Sequence, residues 1–249
     1  VVSLSPSTTE IYCAPTSCNG LIGRTSSCDY PTYVSGNSKV VVDGTVPNYQ
    51  LISELKPDLV IYDTDLYGPA EQEKIKAAGW KTLPFTAKTL DAYLAYMAEL
   101  SKFTGKETDA SSIADRCMLE INNAYGLSKT SKNPPSMAIV VPGPHLLAAG
   151  TKSLQADVWR RAGVKVVGPD ADKYAEWNAE ELIKADPPCI LVPQGGTETL
   201  MADPRFANLR AVKNNDIVEV KPRAILRVGM DLDLFVKAVA PRIVKAADR

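Results

Sequence analysis

Three features of this chain predict an α/β fold in two lobes, each a mostly parallel sheet covered by helices on both faces. A helix-to-strand pattern occurs twice, 130 residues apart: NYQLISELKPDLVIY at 48–62 and NAEELIKADPPCILV at 178–192. Short apolar runs alternate with helical spacing around both copies, the pattern of strands joined by crossover helices. One long amphipathic stretch separates the two alternating regions. The recurrence is too distant for a solenoid period, so it reads as two similar units with a cleft between them.

Each copy opens with an Asn, runs through a short amphipathic helix, meets a proline (Pro57, Pro187) and continues into an apolar run, 59–62 or 189–192. A proline has no amide to donate to the preceding turn, so each helix stops there. Lys39-Val-Val and Lys165-Val-Val precede the copies as short strands. In the first lobe the pattern predicts strand 1–4 and helix 6–14, strand 39–42 and helix 47–55, strand 59–62 and helix 70–78, then strand 80–83. Right-handed crossovers place the loops that follow these strands on one edge.

Helical spacing runs from 90 to 103, a glycine follows at 105, and a second helix carries the stripe Ile113, Cys117, Ile121 and Tyr125. Thr108 or Asp109 is placed to cap its start. A helix of about 20 residues reaches about 30 Å, long enough to bridge two small lobes. A single helical connector resists large closure, so lobe movement is expected to be small. The second lobe predicts strand 137–141, helix 153–162, strand 165–167, the repeated helix and strand, strand 217–220 and a closing helix 231–247. The expected division is an N-terminal lobe 1–105, a bridging helix 106–130 and a C-terminal lobe 131–249.

The chain has 249 residues, enough for two ordinary domains. Its 28 Lys and Arg against 29 Asp and Glu leave no basic excess for a phosphate backbone, so nucleic acid is not an expected partner. No apolar run approaches the roughly 20 residues that span a bilayer, and the N-terminus does not resemble a signal peptide. The chain opens on Val1 in a strand-like run without an initiating Met, as expected of a processed or trimmed chain.

Of five cysteines, Cys117 and Cys189 fall on a helical stripe and at a strand start, and read as small core residues. Cys13 and Cys18 flank a Pro-Thr-Ser turn and can close a small disulfide if the compartment is oxidising; spacing alone leaves this open.

Several chemical signatures fail. Gly150-Thr-Lys-Ser lacks the adjacent Gly-Lys and the spacing from Gly143 that a phosphate loop needs, and neither G-x-G-x-x-G nor G-x-S-x-G occurs. The one histidine, His145, follows a strand in Pro-Gly-Pro-His. It reads as an ordinary loop residue or as a ligand contact, since loops after strands are favoured binding sites. Asp63 and Asp65 end a strand as Asp-Thr-Asp; such clusters usually cap turns, and a metal-bound nucleotide diphosphate is the sharper alternative. Tyr62 and Tyr67 frame that loop, with the flat side chains that line clefts for bulky ligands. Gln194-Gly-Gly-Thr197 takes the matching place in the second copy, where glycines allow a tight turn or close approach to a ligand.

The runs Leu4-Ser-Pro-Ser-Thr-Thr-Glu10, Gly23-Arg-Thr-Ser-Ser-Cys-Asp29-Tyr30-Pro31, Leu55-Lys-Pro-Asp-Leu-Val-Ile61 and Phe206-Ala-Asn-Leu-Arg-Ala-Val-Lys213, in that order, resemble the substrate-binding proteins of ABC importers for vitamin B12, haem and ferric siderophores. The resemblance covers nearly the whole chain. It implies two Rossmann-like lobes joined by one long helix, a class III periplasmic binding protein architecture, with a large chelate bound between them and docking on a membrane permease.

The Ser-Pro-x-x-Thr-Glu opening and Asp29-Tyr30-Pro31 are most similar to cobalamin binders. The resemblance therefore implies a non-enzymatic, monomeric protein, periplasmic or lipid-anchored outside the cytoplasm, with no cofactor and with cobalamin or a related corrinoid as ligand. Asp29, Tyr30, Tyr67, His145 and Gln194 are the expected contacts. Arg223 and Arg227 are secondary, because haem or a siderophore carries negative charge that guanidinium groups recognise. The alternatives are haem or a ferric siderophore on the same scaffold, a two-lobed enzyme using Asp63 and Asp65, or a scavenger without a transporter.

Members of the resembled family commonly dock through one carboxylate per lobe near the start of the repeated helix. Aligning Pro57 with Pro187 sets Gln50 opposite Glu180, so only the second lobe keeps the acid; Glu54, one turn on, can substitute on the same face. Glu180 also reads simply as a carboxylate favoured by the helix dipole. The segment 13–18 is longer than the turn the resemblance implies.

Overall fold

The computed structural model describes residues 1–36 and 38–249. The chain divides into two compact units, one of residues 1–87 and 91–114, the other of residues 88–90 and 115–249.

The first unit is built from β1 (Val2–Ser3), α1 (Pro6–Thr16), β2 (Gly23–Thr25), β3 (Lys39–Asp43), β4 (Val46–Pro47), α2 (Tyr49–Leu55), β5 (Val60–Asp63), α3 (Pro69–Ala77), β6 (Thr82–Phe85) and most of α4 (Leu90–Lys102). Its sheet runs β4-β3-β2-β1-β5-β6, parallel throughout except for the β3–β4 pair. The long helix α5 (Glu107–Ser128) starts in this unit and ends in the second.

The second unit contains β7 (Ser136–Val141), β8 (Leu147–Ala149), α6 (Leu154–Arg161), β9 (Lys165–Val166), β10 (Tyr174–Glu176), α7 (Ala179–Ala185), β11 (Cys189–Pro193), α8 (Gly196–Ala202), α9 (Arg210–Lys213), β12 (Ile217–Val220), α10 (Pro222–Leu226) and α11 (Leu232–Ala247). Strands β9, β7, β11 and β12 are parallel, and the β8 and β10 strands add an antiparallel flank on β7.

The repeated segment keeps its structure at a constant offset of 130 residues. Asn48 and Asn178 cap α2 and α7, accepting from the backbone N–H of Leu51 and Glu180 at 3.0 and 2.9 Å. Each cap satisfies a donor that the first helical turn leaves open. Lys56 and Asp186 end the two helices in the left-handed region at φ 48° and 36°, so chain reversal precedes Pro57 and Pro187 and the prolines bar any restart. Ile52 and Leu182, both fully buried, anchor the helices on the sheets. The next strands keep one register: Val60 and Ile190 sit between Val2 and Thr82 in one sheet, Ala138 and Ile217 in the other. The cores follow, with Val2, Leu4, Val60, Tyr62 and Ile75 in the first unit and Val140, Ile190, Val192, Leu200 and Phe206 in the second.

Several predicted boundaries shift. Helix α1 runs through Pro15 to Thr16 instead of stopping at 14, so the expected Pro-Thr-Ser turn is largely the helix's last turn. Cys13 is bonded to Cys18 there, with Cα atoms 4.2 Å apart, across Ser17 and Cys18 at positive φ. Helix α2 starts at Tyr49, because Val46–Pro47 pairs with β3. Strand β6 lies at Thr82–Phe85, two residues beyond its predicted place.

Thr108 and Asp109 do not cap α5: Lys106 O accepts the first helical bond, from Ala110, which puts both inside the first turn. Tyr125 leaves the buried stripe at 45% exposure and Ala124 takes its place at 5%. Steps of four residues drift about 40° each around a 3.6-residue helix, so the fourth member of such a stripe has left the face.

Candidate functional site

In an open α/β sheet, the crevice for a ligand lies at the carboxyl ends of the strands where the winding reverses. The first unit winds outward from β1 through β2 and β3 in one direction and from β5 to β6 in the other, so its switch point lies between the loops after β1 and β5. The second unit has the equivalent point between the loops after β7 and β11.

Sequence chemistry builds the first of these tightly. Ser5, extended at φ −148° ahead of Pro6, caps α1 immediately after β1. The hydroxyls of Ser3, Ser5, Thr8 and Thr9 form a buried network, with Ser3 to Thr8 at 2.8 Å and Thr9 to Ser3 at 2.8 Å. Thr9 and Thr25 hydroxyls lie 3.1 and 3.2 Å from Cys28 Sγ, which ties the loop after β2 to α1. That loop carries exposed Asp29, half-buried Tyr30 and a cis Tyr30–Pro31 bond. Ser7 donates to Asp63 Oδ2 at 2.7 Å, and Asp65 N–H donates to Asp63 Oδ1 at 2.9 Å. Asp63 thus bridges the switch-point loops and caps its own turn, the plainer of the two readings of Asp-Thr-Asp.

Tyr67 is less exposed than a ligand contact on a loop is expected to be. It is 5% exposed, packs edge-on against Tyr62 at 6.1 Å, and donates its hydroxyl to Leu4 O at 2.6 Å. Burial pushes its phenol well above the ordinary range. Tyr62 is fully buried. Both tyrosines pack in the core of the first unit.

The second switch point differs. Pro142 and Pro144 force the residues before them out of the helical region, so β7 turns into the β8 hairpin and His145 sits in the connecting turn. His145 is exposed; its Nδ1 lies 2.9 Å from Glu176 Oε1 on the neighbouring β10. Exposed Gln194 follows β11, its N–H bonded to Val220 O, just as Thr64 N–H bonds Phe85 O 130 residues earlier.

Gly195 is left-handed at φ 82°, and Gly196 starts α8, where a Cβ would meet Val192 at 2.9 Å and Pro142 at 3.3 Å. The two glycines therefore serve a turn and a helix start packed against the His145 loop. Glu219 accepts from Thr197 N–H at 3.0 Å, and these bonds hold its carboxyl below the usual carboxylate range.

Arg223 and Arg227 belong to the same edge, on and just after α10. Arg223 donates to Asp231 at 2.7 Å. Two residues not picked out in the sequence hold this element: Tyr174 and Gln155 both donate to Ile225 O, at 2.7 and 3.2 Å. Nothing local in the sequence signals these bonds, because they join residues 51 and 70 positions apart.

The docking candidates lie on exposed first turns of the repeated helices: Glu180 on α7 and Gln50 on α2, whose amide donates to Glu54 at 2.9 Å. Cys117 and Cys189 are buried, which pushes their thiols up to about 11 and about 12, unsuited to nucleophilic use. Among the described residues, no three His, Cys, Asp or Glu side chains converge to hold a metal ion, and no helix is long and apolar enough to cross a membrane.

Comparison with known proteins gives the same architecture. The chain is 24% identical over 251 residues to an uncharacterized ABC transporter substrate-binding lipoprotein, YvrC, of Bacillus subtilis strain 168, covering 98% of this chain and 79% of that protein. It is 23% identical over 177 residues to the Fe(3+)-citrate-binding protein YfmC of the same organism, covering 70% of this chain and 56% of that protein.

Among solved structures, the periplasmic vitamin B12 binding protein BtuF of Vibrio cholerae superimposes with a TM-score of 0.85 at 19% identity, covering 100% and 97% of the two chains. A periplasmic haem-binding protein of Pseudomonas aeruginosa gives 0.82 at 19% identity, covering 99% and 92%. These likenesses carry the fold. The sequence pattern of the periplasmic binding protein family matches residues 1–224, and the chain therefore belongs to that family, an extracytoplasmic class of transport proteins.

Proposed function

We propose that this protein captures a corrinoid, cobalamin or cobinamide, outside the cytoplasm and delivers it to the permease of an ABC importer, acting as a binding protein without catalysis. The observation that carries this reading is, in each unit taken by itself, a set of polar side chains on the loops at the carboxyl ends of the strands of a periplasmic binding protein chain. Asp29 and Tyr30 contribute from the first unit, and His145, Gln194, Arg223 and Arg227 from the second. The Arg223 charge is shared with Asp231, which suits a large ligand of low net charge better than one bearing several carboxylates. The Asp29-Tyr30-Pro31 run and the fold likeness to a vitamin B12 binder support the same choice.

A second reading, an anionic iron chelate such as haem or ferric citrate, draws on the two arginines and on the binding named for the Bacillus relative. Calorimetric titration with cyanocobalamin, cobinamide, haem and ferric citrate decides between them. Saturable one-to-one corrinoid binding supports the first reading; tight haem or ferric citrate binding with silent corrinoids replaces it by the second.

Delivery is assigned to Glu180 on α7 and to the Gln50–Glu54 pair on α2. In vesicles reconstituted with the permease, Glu180→Lys is expected to lower uptake while leaving ligand affinity unchanged. An unchanged uptake rate removes Glu180 from docking.

A further inference from the structure

The chain's near-neutral total hides a division of charge. The first unit carries 8 Lys and Arg against 13 Asp and Glu, and the second carries 20 against 16. On the ligand-loop edge of the second unit, Arg223 is matched with Asp231. The opposite edge, where β7, β9, β11 and β12 begin, carries two matched arginines, Arg210 with Asp186 and Arg249 with Asp216, and a larger set of cations besides.

Lys129 follows the end of α5, and Lys132 lies in the segment leading to β7. Lys165 opens β9, its N–H bonded to Pro135 O. Lys184 sits in the last turn of α7 ahead of β11, and Lys213 ends α9 ahead of β12. Arg242 and Lys245 lie on the final turns of α11. Hydrogen bonds draw these pieces to one pole. Asp248 accepts from Ser131 and from Lys132 N–H, both at 2.7 Å, Asn133 donates to Ala247 O at 3.0 Å, and Arg249 donates to Asn214 O at 2.7 Å. Helices α5 and α11 run parallel beneath it, joined by Arg116–Asp233 and Glu120–Lys237, each pair 117 positions apart.

All seven cations are exposed, and among the described residues none has a carboxylate within ion-pair distance. Tyr125, 45% exposed, stands in the same cluster with Lys129 Nζ 4.7 Å from its ring centroid. Six lysines, one arginine and an exposed tyrosine on one edge match an anionic bilayer surface: lysine stems reach the headgroups, and tyrosine prefers the interface.

We infer that this pole of the second unit is a membrane-contact surface that binds anionic phospholipid headgroups electrostatically, without insertion. Contact there leaves the ligand loops of the same unit, at the other ends of the strands, facing away from the bilayer. The inference does not depend on which ligand the protein carries. An extracytoplasmic chain meets lipid rather than nucleic acid, which makes the bilayer the partner of choice for this charge pattern.

The test is co-sedimentation of the full chain with vesicles of phosphatidylcholine alone or with about 30% phosphatidylglycerol, at about 50 and about 300 mM salt. Binding is expected only to the anionic vesicles, and to weaken as salt rises. Each lysine near an anionic surface is worth about fivefold in the binding constant. The quadruple variant K129Q/K132Q/K165Q/K245Q should therefore lose at least about a hundredfold, while K74Q/K76Q in the first unit binds as the parent does.

A second measurement uses no variant. Acetylation of lysines in the presence of anionic vesicles should spare Lys129, Lys132, Lys165 and Lys245 relative to Lys74 and Lys76 of the first unit. Absence of binding at low salt, equal binding by the quadruple variant, uniform acetylation, or binding to duplex DNA but not to vesicles each overturns the inference.

Discussion

At the first unit's switch point, the Ser7 hydroxyl reaches Asp63 across the gap between the two loops; at the second, the corresponding loops carry exposed His145 and Gln194. The backbone frame is shared, since Thr64 and Gln194 make the same ladder bond, to Phe85 O and Val220 O. The divergence begins immediately after β1 and β7. Ser5-Pro6 starts a helix at once, with the proline at its first position. Pro142-Gly-Pro144 forbids that start, and the chain detours through a hairpin. One frame thus produces an end tied across its loops by Ser7 and Asp63 and another whose loops carry exposed polar side chains.

The sharpest test of this contrast is Tyr67→Ala. Loss of a buried aromatic ring and of its bond to Leu4 O should destabilise the protein by about 3–5 kcal/mol, read in urea unfolding, whereas His145→Ala should leave the unfolding midpoint in place. A stable Tyr67→Ala protein with lost ligand affinity would restore Tyr67 to the binding surface.

Next in size is a reciprocal exchange at the equivalent positions Leu66 and Gly196. Leu66 is 56% exposed, while a side chain at 196 collides with Val192 and Pro142. Gly196→Leu should cost roughly 1–3 kcal/mol, and Leu66→Gly much less; equal costs would erase the difference in loop packing. Ser7→Ala should cost about 1–2 kcal/mol, because it removes a hydrogen bond to a charged group. It should also loosen the loop after β5, seen as faster exchange of the Asp65 amide.

At the second switch point, Gln194→Ala or His145→Ala should weaken ligand binding by about tenfold, or roughly 1.4 kcal/mol, with no change in melting temperature. Unchanged affinity in both would move the contact to α10.

The smallest effect concerns Glu219. Its carboxyl is held below the ordinary value by Thr197, so its contribution is present above the unfolded carboxylate range and is lost as pH falls through the folded value. Glu219→Gln should flatten that acid limb of the stability curve slightly, and an unaltered limb would show that the bond to α8 contributes nothing.

Much of this was legible along the chain. The repeat located both copies, the Asn caps, the prolines and the buried strands, because capping and burial patterns act over a few residues and leave a local trace. Strands β2, β8 and β10 left little trace: each spans three residues and exists through pairing with distant partners. Lys39-Val and Lys165-Val look alike, yet the first lies two strands out from β1 and the second pairs directly with β7. Strand order depends on the lengths and directions of connections that a short motif does not encode.

The sequence by itself therefore determined the two-unit α/β plan, the duplicated helix-strand element, and the family. Only the tertiary structure decided which nominated side chains are spent internally. Tyr67 and Asp63 stand in loops as suggestive as that of Gln194, but they meet Leu4 O and Ser7, residues 63 and 56 positions away, and His145 meets Glu176, 31 positions away. Whether a polar group is satisfied by the protein or left for a ligand depends on neighbours that folding brings together, and no local pattern carries that information.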